Sequence, residues 1–236
     1  MARFGSDLAA VAQPADGGWA AEVAAAAAET GVIAVAGMFT PGGNGRVRNT
    51  LLITGPGVSA SYDKVHLFDA LGQRESATID PGHDLLMVAV DGVQVGVATC
   101  YDLRYPAQFI ALAQAGAEMI VVPSSWAAGE GKASQWELLV RARALDSTSW
   151  VLGCGQADPV AAGLEPLPRA AGGIGHSLAV SPLGEVRGRL EAAPGMLVVD
   201  VDLAEVARAR ESLPVLRHTR PWSTADVRRP TPDVRR

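Results

Sequence analysis

The sequence is poor in features that would each announce a function class. It has two cysteines in 236 residues, too few for a disulfide framework, so a reducing cytoplasm is the default expectation. No apolar run approaches the ~18 residues of a membrane-spanning helix, so no membrane partner is expected. The start, Met1-Ala2-Arg3-Phe4-Gly5-Ser6-Asp7, lacks the charged, apolar and small-residue segments of a secretory signal. Basic residues are not in excess: 20 Lys+Arg stand against 25 Asp+Glu, a net charge of −5, which argues against nucleic acid. The four histidines show no metal-ligand spacing, so no metal is expected. No glycine-rich stretch follows a strand in the form that cradles phosphate. What is there is a chain 48% hydrophobic and 19% charged, which suits a packed core rather than a disordered segment.

Helical and strand signals alternate. Ala20 to Glu29 is almost all alanine and glutamate, a strong helix former, with Gly31 as a left-handed cap. Val32 to Ala36 reads as a buried strand, Pro41 to Gly45 as a hairpin loop, and Thr50 to Thr54 and Val58 to His66 as the next strands. Val93 to Thr99 reads as the fourth strand. Pro106 to Ala115 follows as a helix with proline in its first turn. Ala117 to Val122 is a strand stopped by Pro123. Ser134 to Asp146 is a helix with Ser134 and Glu137 in capping-box spacing. Val151 to Gly155 is a strand. Ile174 to Val180 and Glu185 to Leu190 flank a turn and read as a hairpin. Met196 to Val201 is a strand, and Asp202 with Glu205 opens a short helix. The pattern is one α/β domain over residues 1–216, with an Arg- and Pro-rich arm or tail over 217–236.

Three residues invite a chemical reading. Cys100 ends the apolar strand and precedes a helix start, where backbone N–H groups favour a thiolate and can hold an oxyanion. A buried cysteine acting as a small hydrophobe fits the same position; for Cys154, which lacks the strand-to-helix turn, that reading dominates. Lys64 is one of only two lysines among twenty cations. Strand period puts it on one face with Tyr62 and His66, although a solvated lysine at a strand end fits too. Glu75, taken alone, reads as an ordinary loop carboxylate.

Together, Tyr62-Asp63-Lys64-Val65-His66-Leu67-Phe68, Arg74-Glu75-Ser76, Cys100-Tyr101-Asp102-Leu103-Arg104-Tyr105-Pro106 and Trp136-Glu137-Leu138-Leu139-Val140-Arg141-Ala142-Arg143-Ala144 resemble the blocks of the nitrilase, or carbon–nitrogen hydrolase, superfamily. Gly175-His176-Ser177 and Leu213-Pro214-Val215-Leu216-Arg217 add to the resemblance, which runs from about Gly31 to Leu216 and is nearest to the Nit-type branch acting on ω-amides of α-keto acids and on deaminated glutathione. It implies a four-layer α-β-β-α sandwich and subunits paired through an outer helix layer, hence a homodimer. It implies hydrolysis of a small carboxamide to carboxylate and ammonia through a cysteine thioester, without a cofactor. By the same resemblance Cys100 is the nucleophile, Lys64 and the Tyr101 backbone N–H stabilise the oxyanion, and Glu75 matches a second glutamate beside the triad. Trp126 and Arg104 are candidates for substrate binding, although for Arg104 an internal ion pair fits as well.

The family's triad glutamate sits in a Pro-Glu motif upstream of everything matched here. Met1 to Gly5 resembles the stretch just past that motif, no Pro-Glu pair precedes Lys64, and Glu22 and Glu29 lie in the alanine-rich helix. The resemblance therefore implies an N-terminal strand-helix-strand and a base that are not among these residues. Either the start is shortened and the protein is an amidase, or the chain is a non-catalytic relative that binds small carboxylates or a partner protein.

Overall fold

The alanine–glutamate run forms α1 (Gly18–Thr30). It ends where Gly31 adopts φ 72° and its N–H returns to the carbonyls of Ala27 and Ala28. The structure, a computed structural model, describes residues 8–165, 172–221, 223 and 226. Met1 to Gly5 and most of the expected C-terminal arm therefore lie outside the described residues. The 216/217 boundary falls inside a short helix, α5 (Val215–His218).

A small antiparallel sheet follows α1: β1 (Ala34–Pro41), β2 (Val47–Gly55) and β3 (Val58–Asp63). The first of these is half-buried rather than buried and runs on to Pro41, so only Gly42 to Arg46 are left to turn. The second sheet has six strands in chain order: β4 (Leu86–Val90), β5 (Val93–Val97), β6 (Met119–Ser124), β7 (Trp150–Gly155), β8 (Leu178–Val180) and β9 (Val186–Arg189). Strands β5, β6 and β7 are parallel. The crossovers this demands are α2 (Pro106–Gln114) and α3 (Lys132–Ser147). A last helix, α4 (Ala204–Ser212), precedes α5.

Two cores separate four layers. Leu51, Ile53 and Tyr62 of the small sheet meet Val97 of the large one. On the large sheet's other face, Phe109 and Leu112 of α2 and Trp136, Val140 and Ala144 of α3 bury against Ile120, Val122 and Val151. With α1 packed on β1 and β2, the order is α-β-β-α, as the sequence implied.

Four local expectations are corrected. Leu86–Val90 is a strand, paired with β5 through Asp91 and Gly92, both at positive φ; this Asp-Gly turn was a hairpin signal in plain view. Pro123 does not stop β6. It lies past the last β5–β6 pair, Val97 with Val121, where only β7 remains as neighbour and its missing N–H is not needed. Gly131, at φ 68°, caps α3 instead of Ser134, because Glu137 faces Arg141 and Arg189. Met196 to Val201 alternates in and out but forms no ladder. Leu197 and Val199 pack over the open face of Gly188, where an added Cβ would meet them at 2.9 and 3.3 Å, and Met196 and Val198 are 85% and 77% exposed.

Candidate active site

The small sheet delivers the first half of the site. β3 ends at Asp63, and the Lys64 N–H continues the pairing by donating to the Asn49 carbonyl at 2.9 Å. Its side chain turns inward and is 2% exposed, as is Glu75. Lys64 Nζ donates to Glu75 Oε2 at 2.5 Å. The same carboxylate accepts from the Phe68 N–H at 2.6 Å and from Asn49 Nδ2 at 3.2 Å. Three donors compensate a charge that burial alone would make costly.

The large sheet delivers the second half. β5 ends at Val97, and Cys100–Arg104 winds into a 3₁₀ turn leading to α2. Cys100 holds φ 48°, a conformation that L residues rarely adopt. Its N–H donates to Ser124 Oγ at 3.1 Å, and its Sγ lies 3.7 Å from the Ser125 carbonyl, a contact that a neutral S–H donates. Burial pushes the Cys100 thiol above its ordinary range. The Lys64 charge and the Tyr101 N–H pull it down, while Glu75 and Asp102 push it up. The N–H contribution expected from the strand end is therefore present but outweighed by burial.

Between the two halves stands Asp102, fully buried. It accepts from Tyr62 Oη at 2.7 Å, from the Thr99 N–H at 2.9 Å and from the His66 N–H at 3.0 Å, and its Oδ1 lies 2.9 Å from His66 Nδ1. Tyr62 is held protonated, and so a donor, by its burial and by this carboxylate. The His66 ring stacks on Tyr105 at 3.6 Å.

A cavity of about 950 Å³ opens on these groups, and Lys64, Glu75, Cys100, Tyr101, Arg104 and Trp126 all line it. Every candidate taken from the sequence thus faces one space. The internal ion pair considered for Arg104 is not formed: it has no carboxylate partner among the described residues. Its Nη2 donates to Gln135 Oε1 at 2.9 Å and its guanidinium lies 5.3 Å from the centre of the Trp126 ring. Cys154 lines the same cavity, exposed on β7.

Sequence reasoning passed over Asp102, Asn49 and Lys132. Asp102 had a signal, since Thr99-x-x-Asp102 has capping-box spacing. Asn49 had none, because its role depends on β2 lying beside β3. Lys132, the only other lysine, lines the cavity at the start of α3 with no hydrogen bond or ion pair of its side chain among the described residues.

A family model described as carbon-nitrogen hydrolase matches residues 4–211. The chain belongs to the carbon–nitrogen hydrolase family. A Mycobacterium tuberculosis protein named only as a hydrolase is 50% identical over 224 residues, 92% of this chain and 80% of its own. Deaminated glutathione amidase of Mus musculus is 35% identical over 234 residues, 94% of this chain and 70% of its own. Among solved structures, the amidase of Nesterenkonia sp. AN1, of the nitrilase superfamily, matches with a TM-score of 0.64 at 28% identity, over 81% of this chain and 71% of that one. As a carbon–nitrogen hydrolase, the protein is an enzyme of amide C–N hydrolysis.

Proposed function

We propose that this hydrolase acts on a small carboxamide that also carries a carboxylate, through a thioester on Cys100. The observation that carries the reading is the meeting of Cys100, Lys64 and Glu75, from two different sheets, on one cavity. Cys100 Sγ bonds to the amide carbonyl carbon, and its proton passes to Glu75, the buried carboxylate of the cavity. Lys64 Nζ and the Tyr101 N–H receive the oxyanion; one such donor is typically worth ~10²–10³ in rate. The C–N bond then breaks, and the nitrogen leaves as ammonia with the proton that Glu75 held. Water attacks the thioester, giving the carboxylic acid and regenerating the thiol.

Glu75 is poorly free for this duty, because Lys64, Phe68 and Asn49 already occupy it. Turnover that relies on Glu75 is accordingly expected to be slow, and a further carboxylate acting as base would speed it by ~10²–10⁴. The substrate's carboxylate falls to Arg104 and Lys132. Five charged side chains line the cavity, three cations and two anions, a net of +1 in a chain of net charge −5. With Lys64 offset by Glu75, Arg104 and Lys132 face the single carboxylate of Glu191 on the wall, and the net positive charge left over favours an anionic ligand.

A mutant of the Nesterenkonia amidase, with one glutamate replaced by leucine, is described with the acetamide moiety of fluoroacetamide covalently added at its active-site cysteine. The same reagent tests this chain. Fluoroacetamide should add one acetamide group at Cys100, located by peptide mass spectrometry, and ω-amides of keto acids should release ammonia. An adduct confined to Cys154, or binding of such acids without ammonia release from any amide, would leave a carboxylate-binding protein instead.

A further inference from the structure

Lys64 and Cys100 come from different sheets and touch no common backbone hydrogen bond, so something must set the distance between them. Four contacts do, and all run to one carboxylate, the His66 Nδ1 contact at 2.9 Å among them. Asp102 lies two residues past the nucleophile and accepts the N–H of Thr99, the residue before it, at 2.9 Å. With its remaining capacity it takes Tyr62 Oη at 2.7 Å and the His66 N–H at 3.0 Å, the residues two before and two after Lys64. The grip extends further on both sides. Gln108 Nε2 of α2 donates to Tyr62 Oη at 3.0 Å, and His66 stacks on Tyr105 of the nucleophile turn. Arg143 of α3 holds the same turn from behind by donating to the Leu103 carbonyl at 3.1 Å.

We infer that Asp102 is a positioning residue: it ties the strand end bearing Lys64 to the turn bearing Cys100, and so holds the oxyanion donor and the nucleophile in register. The inference rests on the proposed roles of those two residues and adds a third that the catalytic chemistry does not use. Two features of the site make the tie necessary. Cys100 sits at φ 48°, a conformation that persists only when its surroundings over-determine it. The Asp102 charge, moreover, opposes the thiolate, so chemistry on the thiol alone gains nothing from an acid here. A neutral amide in its place could accept on one atom only and would set an N–H₂ against N–H and O–H donors. A misplacement of ~1 Å is enough to cost about 10²-fold in rate.

A double-mutant cycle read by iodoacetamide alkylation of Cys100 tests this, in a Cys154→Ala background and at one fixed pH. Lys64→Met should slow alkylation about tenfold when Asp102 is present, because the ammonium favours the thiolate. In Asp102→Asn the same change should have less than a threefold effect, since the lysine is no longer held beside the thiol. Equal effects of Lys64→Met in the two backgrounds overturn the inference, whatever the stability of the variants. Should Asp102→Asn not fold, as judged by circular dichroism, Tyr62→Phe replaces it. That variant removes one tie and keeps the carboxylate, and it should shrink the Lys64 effect at least twofold; an undiminished effect overturns the inference too. Where ammonia release is measurable, Asp102→Asn should lower kcat about 10²-fold with KM within threefold. The alkylation cycle uses no amide, so a wild-type protein that released no ammonia would count against the proposed function and leave the positioning role of Asp102 to stand or fall by the cycle.

Discussion

Cys100 and Cys154 line one cavity and belong to the same sheet region, yet their surroundings differ in almost every respect. Cys154 lies on β7, in regular register opposite Pro123, and is exposed. Cys100 lies just past the end of β5 at positive φ, with a serine hydroxyl on its N–H, a carbonyl beside its sulfur, and the charges of Lys64, Glu75 and Asp102 near enough to move its proton. Solvent access would rank Cys154 as the more reactive thiol. On the proposed function, the constellation of donors and charges makes Cys100 the nucleophile. The difference teaches that reactivity toward a small alkylating agent and capacity for acyl transfer are separate properties, set respectively by exposure and by what receives the oxyanion.

The largest effect expected is the loss of ammonia release in Cys100→Ala, by roughly 10⁴-fold or more, against a change within threefold in Cys154→Ala. Comparable losses in both would erase the contrast. Next is Lys64→Arg. A flat guanidinium cannot occupy the place of a compact ammonium, and loss of the donor should cost ~10²–10³ in kcat. Near-normal turnover would remove Lys64 from the oxyanion role. The same variant strains a buried pair, and Lys64→Met, which leaves Glu75 uncompensated, should destabilise the fold by ~3–5 kcal/mol in chemical denaturation. Smaller again is the effect of Arg104→Met or Lys132→Met. Each should raise KM about tenfold for amides carrying a carboxylate and leave neutral amides within twofold; equal shifts for both substrates would deny the cations a part in selection. The smallest effect is one of order. Because burial holds the Cys100 thiol protonated, iodoacetamide at neutral pH should label Cys154 first, and the Cys100 rate should climb through a midpoint above the ordinary thiol value as pH rises. A midpoint below that value would reverse the sign of the burial effect.

The sequence announced these features unevenly, for physical reasons. Elements whose signals are local could be read off: α1 from its alanines, α2 from Pro106, β7 from its apolar run. The site was legible as residue types because Lys64, Glu75 and Cys100 each sit in short, distinctive blocks. What failed depended on neighbours far along the chain. Pro123 is tolerated within β6 because β5 has already stopped pairing, and no residue near Pro123 says so. Met196 to Val201 alternates like a strand, but alternation reports which side faces inward, not whether a ladder forms. Asn49 and Asp102 matter only because the fold brings 49 beside 75 and 62 beside 102.

Trp126 has a use that its place in the wall makes available. Its indole is buried, its Nε1–H has no hydrogen-bond partner among the described residues, and a guanidinium lies over its face. An indole in such a dry setting emits at short wavelength, and a charge held above the ring tunes that emission. A ligand that draws Arg104 toward its own carboxylate therefore changes the light the protein gives off. In a Cys100→Ala protein, in which no turnover is expected, titration of candidate acids against this signal, with Trp126→Phe as the blank, would read occupancy of the pocket optically.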